Sequence, residues 1–219
     1  MKSEKYSKIS KTYIYKIFNR LKNEQKTASP PIIPIYSANI LLGYMRIVSI
    51  SSLESSDEIK RLAKWRKQSE RWFPSQFKIT LDGTRNWLKE RLLDIDDRIL
   101  FIIESPAGKP IGHIGLYRFN FEKESCQIDN VIRGEGGVPG IMTHSISALI
   151  KWTNKYLKPK SIFLETFSDN EKALSLYMRC GFKEIKRIPL QRKIVNKVVT
   201  WIEVPGIKSD RFAVYMKLK

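Results

Sequence analysis

Asn170 and Tyr177 stand seven residues apart, which on a helix places an amide and a phenol on one face, two turns from each other. The apolar run Ile162-Phe163-Leu164-Glu165-Thr166 before them reads as a strand. Ser168-Asp169-Asn170 reads as its polar exit and the cap of the next helix, and Gly181 stops that helix before Phe182. Amide and phenol are therefore expected at the mouth of a sheet. Upstream lies Val131-Ile132-Arg133-Gly134-Glu135-Gly136-Gly137-Val138-Pro139-Gly140, a glycine-rich turn between an apolar strand and an amphipathic helix. Such glycines let the backbone approach a ligand, and the first amides of the following helix offer N–H groups to a phosphate. The chemistry suggested is a phosphate cradle followed by a polar pair.

These two segments together resemble the GNAT acyltransferase superfamily, over about Ile99 to Lys186. The strand 162–166, Asn170, Ala173, Leu176-Tyr177 and Gly181-Phe182 stand in the family's register. In the turn, Arg133 and Gly136 fit, while Val138 takes the last small position and Pro139 follows, moving the expected helix start to Gly140. The resemblance implies an acetyl-CoA-dependent N-acetyltransferase in which an amine attacks the thioester directly in a ternary complex. It implies that Arg133, Gly134, Gly136, Gly137 and Gly140 hold the pyrophosphate, and that amides near Asn130 and Val131 polarise the thioester carbonyl from a strand splayed away from its neighbour. Asn170 would contact the coenzyme A arm, and Tyr177 would protonate the departing thiolate. A buried phenol that only packs, an Asn170 that only caps, and an Arg133 paired with Asp129 or Glu135 are the structural alternatives.

The resemblance leaves the general base open. Asp129, on the strand leading to the turn, and Glu165, on the neighbouring strand, flank the expected reaction centre, where a carboxylate accepts the amine proton or binds an ammonium. Either carboxylate has the alternative of pairing with Arg133 or a lysine. His113, between Gly112 and Gly115 on a strand, reads as a core histidine, and Cys180 as packing. Two histidines and two cysteines make neither a metal site nor a disulfide framework, so no metal is expected and a reducing compartment, the cytoplasm, is.

The 219 residues carry a formal net charge of +18, with basic and acidic residues interleaved through Lys64–Arg71 and Lys89–Arg98. A solvated basic surface explains this first, an anionic ligand second, nucleic acid third. No apolar run of about 18 residues is present, and no secretory leader is visible. Residues 1–26 hold eight basic residues against two acidic ones, with Ile9, Tyr13, Ile17 and Leu21 recurring every four residues beside Tyr6, Ile14 and Phe18. That pattern suits a basic amphipathic helix, docked on its own domain or on a membrane surface or partner. Pro30, Pro31 and Pro34 then read as a linker, so residues 1–36 form an extension and residues 37–219 the domain.

Positioning these groups takes strands at 40–50, 98–104, 111–119, 125–132, 161–166, 183–191 and 211–218, with helices at 55–73, 84–93, 140–157 and 171–179. Gly112 and Gly115 are the expected bulges. The order predicts an α+β fold: a mixed, mostly antiparallel twisted sheet of about six to seven strands flanked by helices, with one central parallel pair. Residues 192–210 are too long for a tight turn and read either as a wall of the acceptor pocket or as an extra edge hairpin. Among acceptors, a small anionic amine such as a nucleotide-linked amino sugar suits the basic surface, and a protein N-terminus or lysine is the alternative. A non-catalytic GNAT-like or nucleic-acid-binding module, suggested by Trp65, Trp72 and Phe73 among basic residues, is the reading of a different class.

Overall fold

The structure, a computed structural model, describes residues 10–23 and 32–219. Tyr6, Ile9, Pro30 and Pro31 lie outside the described residues. In chain order the elements are α1 (Lys11–Lys22), β1 (Ile32–Ser37), β2 (Ile40–Ile47), α2 (Ser56–Gln68), β3 (Ser75–Gln76), α3 (Leu81–Leu88), β4 (Ile99–Glu104), β5 (Pro110–Asn120) and β6 (Ser125–Arg133). They continue as α4 (Ile141–Tyr156), β7 (Ser161–Phe167), α5 (Glu171–Arg179), β8 (Phe182–Val195), β9 (Val198–Glu203) and β10 (Phe212–Leu218).

Ile99-Leu100-Phe101-Ile102-Ile103 leaves β4 no polar face, so both of its sides must be covered. Ile99, Phe101 and Ile103 enter one apolar cluster with Ile14 and Phe18 of α1, Ile146 and Leu149 of α4, and Tyr177 of α5. Leu100 and Ile102 enter the other, with Ile59, Leu62 and Trp65 of α2 and Leu88 of α3. Helices therefore cover both faces of one sheet, in the order β1-β2-β4-β5-β6-β7-β10-β8-β9-β3. Neighbours are antiparallel except β6 and β7. The α+β plan and the parallel pair are as expected. The sheet has ten strands rather than six to seven because β1, β3 and β9 extend its two edges.

The added strands correct one local expectation and decide another. Pro34, expected in a linker, lies in β1 opposite Tyr44, and this is an edge strand, where a missing N–H costs no ladder bond. Residues 192–210 contain the turn and second strand of a β8–β9 hairpin, whose turn residues Asn196 and Lys197 both have positive φ. β9 then pairs with the short β3 just after Pro74. The helix expected to run to Phe73 ends at Gln68, with Ile59, Leu62, Ala63 and Trp65 on its buried side.

The described part of the basic helix docks on its own domain. Ile14 and Phe18 are fully buried, Phe18 meets Phe119 edge-on, and the Lys22 ammonium donates to the carbonyls of Leu92, Leu93 and Ile95. The buried stripe is 14/18/22, not 13/17/21; Tyr13 stays half exposed. No helix among the described residues is long and apolar enough to cross a membrane. Because Phe18 sits in the main core, Phe18→Ala is expected to cost about 3–5 kcal/mol in urea unfolding. A loss below about 1 kcal/mol would mean that α1 is not part of the cooperative unit.

Candidate active site

β6 and β7 are hydrogen-bonded over only three residue pairs, Ser125–Ser161, Cys126–Ile162 and Gln127–Phe163, and then part. The cause is an extra residue. Between the pairs His113–Ile132 and Gly115–Asp129, β5 advances two residues while β6 advances three. The bulge is Asn130-Val131, and Asn130 takes φ +51°, a left-handed conformation that asparagine tolerates better than most residues. It switches the strand's parity: Cys126 and Ile128 face one core, Ile132 the other. Of the bulges expected at Gly112 and Gly115, β5 carries one beside Gly112, where Ile111 is the extra residue between the pairs Ile103–Gly112 and Glu104–Pro110, and none against β4 at Gly115. A side chain at either glycine would strike a neighbouring carbonyl. A second bulge on β5 contains Arg118, whose guanidinium donates to Gln127 and to Glu165, on the two strands at the point of divergence.

The glycine-rich turn is held from α2. Trp65 Nε1–H and Lys64 Nζ both donate to Glu135, at 3.0 and 2.6 Å. A Cβ on Gly134 would lie 2.1 Å from Trp65 Nε1, so the indole explains this glycine. The Gly134 and Glu135 amides both donate to Ile111 O, which removes Gly134 from the pyrophosphate donors expected of it. Gly137 packs on Ile111, and Gly136 faces open space. Arg133 pairs with neither Asp129 nor Glu135; it curls back to donate to the carbonyls of Glu135 and Gly137. Gly140, at φ +77°, caps α4 where the sequence placed the helix start. Arg133, Gly140, Met142 and Thr143 line the cleft.

That cleft, about 840 Å³, runs through the fork and brings Asp129, Asn130, Val131, Glu165, Asn170 and Tyr177 onto one wall system. Gly134, Gly136 and Gly137 stand outside its lining. Asn170 caps α5, its Oδ1 accepting from Ala173 N–H. Tyr177 is buried against Phe182, and burial, with the nearby charge of Asp129, pushes its phenol above the usual range. Asp129 accepts from Arg98 Nη2 and Asn130 Nδ2, both at 2.7 Å. Glu165 is pushed up by burial, opposed by Arg118 and reinforced by Glu203 and Asp129. His113 is buried and lowered to about 4 by loss of solvent, so it is neutral near pH 7; its ring meets the Trp65 indole, and its Nδ1 lies 2.7 Å from Asn130 O. The lining also includes Arg71, Trp72, Phe73 and Pro74. Arg98 and Arg118 were missed in the sequence. The only signals were a basic residue at the start of one strand and another near the end of the next.

The residues fit a thioester cosubstrate. The fork admits an extended arm, and among the described residues the Gly136, Gly137 and Gly140 amides have no backbone acceptor. No group of carboxylates, histidines and cysteines able to hold a metal is present among the described residues. The family profile described as an acetyltransferase (GNAT) domain matches residues 49–183. The chain belongs to the GNAT acetyltransferase family. This GNAT acetyltransferase is thus an acetyl-CoA-dependent enzyme. No curated protein sequence matches it. Its fold is similar to spermidine N-acetyltransferase from Vibrio cholerae, solved with CoA and spermine, at 18% identity, TM-score 0.61, over 80% of this chain and 93% of that one. It is similar also to RimL, the ribosomal L7/L12 alpha-N-protein acetyltransferase, at 14% identity and TM-score 0.62, covering 86% and 98%. A third is FdhC, a nucleotide-linked sugar GNAT, at 15% and 0.58, covering 81% and 86%. At these identities the likeness is one of fold.

His113 supplies a pH test. Its pKa falls from about 6.5 unfolded to about 4 folded, so the unfolded chain binds the extra proton between those values. Its contribution is present above pH 6.5 and is lost as pH falls toward 4. Urea unfolding should show up to roughly 3 kcal/mol of acid-sensitive stability that is absent from His113→Leu. Parallel pH curves for the two proteins would exclude a buried neutral histidine.

Proposed function

We propose that this GNAT acetyltransferase acetylates a small amine carried on an anionic framework, such as a nucleotide-linked amino sugar. The observation that carries this reading is the polarity of the cleft. Asp129 and Glu165 stand at the fork, where Arg118 pairs with Glu165, and the same cleft is lined by Arg71, whose guanidinium lies over the Trp72 ring, and by Phe73. An amine would be drawn to the carboxylates, while a phosphate and a flat base would meet guanidinium and aromatic surface.

In the mechanism we infer, the amides of Gly136, Gly137 and Gly140 and the N-terminal end of α4 take the pyrophosphate. Asn170 keeps its cap through Oδ1 and offers Nδ2 to the coenzyme A arm. The Asn130 and Val131 amides polarise the thioester carbonyl as negative charge develops on its oxygen. Glu165 is the stronger candidate base, because burial raises its affinity for a proton, whereas Asp129 is already engaged by the Arg98 guanidinium and the Asn130 amide. Asp129 then acts electrostatically on the incoming ammonium. Tyr177, which holds its proton through neutral pH, delivers it to the thiolate.

Incubation with acetyl-CoA and an amine panel, reading free thiol, tests the acceptor. The highest kcat/KM is expected for a nucleotide-linked amino sugar. A preference for spermidine would overturn the reading, and a preference for a peptide N-terminus or lysine would establish the protein-acetylating alternative. Tyr177→Phe should keep the thermal shift produced by acetyl-CoA and lower kcat by ~10²-fold or more. Unchanged kcat would remove Tyr177 as the acid if single-turnover rates are also unchanged.

A further inference from the structure

The bulge at Asn130-Val131 has a choice of peptide orientations, yet the structure holds one of them by bonds from two directions. The peptide linking Asn130 and Val131 is planar and trans, so its C=O and N–H point opposite ways. Fixing the carbonyl fixes the amide. His113 Nδ1 lies 2.7 Å from that carbonyl, and since a carbonyl only accepts, Nδ1 carries the proton. On the other side, Asn130 Nδ2 donates to Asp129 Oδ2, which also accepts from Arg98 Nη2. Arg98 is itself immobilised: its Nη1 donates to Arg91 O, its guanidinium lies 4.4 Å from the Tyr117 ring centroid, and its side chain is 14% exposed.

We propose that Arg98 and His113 are positioning residues of the acetyl transfer: they clamp the two ends of the Asp129-Asn130-Val131 bulge and so aim the Val131 N–H at the thioester carbonyl in the fork. Neither touches substrate. His113 does its part as a neutral donor, which its apolar surroundings against Trp65 favour. A relaxed bulge would leave the cofactor cleft intact but turn the amide away, so the loss falls on turnover rather than on binding. The inference rests on the acetyltransferase reading of the cleft.

Two substitutions at position 113 separate aiming from packing. Asparagine places an N–H donor near the Nδ1 position; leucine fills the apolar site better but donates nothing. His113→Leu should lower kcat by ~10²-fold with the acetyl-CoA KM and thermal shift nearly unchanged, and His113→Asn should recover at least ~10-fold of that loss. Activity thus ranks Asn above Leu while thermal stability ranks Leu at or above Asn. Arg98→Met should likewise lower kcat and spare the acetyl-CoA KM. Equal kcat for the two His113 variants, or activity that simply follows stability, overturns the clamp. Nitrogen-15 NMR of the His113 ring gives a reading independent of turnover: a proton on Nδ1 is expected, and one on Nε2 alone overturns the clamp. Wild-type protein silent with every amine would end the acetyltransferase reading, while the ring nitrogens would still decide the clamp.

Discussion

Backbone hydrogen bonds that β6 and β7 do not make are the constraint on which this site depends. Three pairs join the strands, and beyond Gln127 and Phe163 both present main-chain groups to a gap. Inside a closed sheet such groups would each cost about 1–3 kcal/mol. Here they border an open cleft, where water or an extended ligand satisfies them. The fork is maintained from both ends, by the extra residue in β6 and by Arg118 bridging Gln127 and Glu165.

Everything around the fork serves to keep it rigid. α4 leaves the sheet just beyond it and carries the end of the glycine-rich turn, while α5 returns beside it with Tyr177 in the core. α2, on the opposite face, fastens the turn through Glu135. The β8–β9 hairpin braces the segment that carries Arg71. Arg211 lies 4.4 Å from the ring centroids of both Phe167 and Trp201, forms a bidentate pair with Asp169, and donates to the carbonyl of Arg71. One guanidinium thus links three segments around the residue that precedes the cap of α5.

What was legible in the sequence followed strong local signals. Asn170 and Gly181 bracket α5 as their types dictate, Gly140 starts α4, and the seven strongly patterned strands are all present. What was not legible lay in tertiary pairing. β3 has two residues and β1 contains a proline, so neither has a period to read, and each exists because a neighbouring edge supplies partners. One β5 bulge lies beside Gly112, but the bulge that opens the fork is on β6 at an asparagine, where no glycine marks it. Arg98 shows the same limit: its partner is 31 residues away, and nothing local marks a basic residue as buried. In the glycine-rich turn, the group that approaches Gly134 is an indole rather than the phosphate expected there.

That last contact ties two distant positions into one volume. Trp65 occupies the space a side chain at 134 would need, so bulk at the two sites trades off reciprocally. A relative with a small residue at 65 is free to carry alanine or serine at 134, and a glycine retained there would open a void under the turn. Variation at these two positions should therefore be correlated, although they lie on different elements and neither is at the reacting centre.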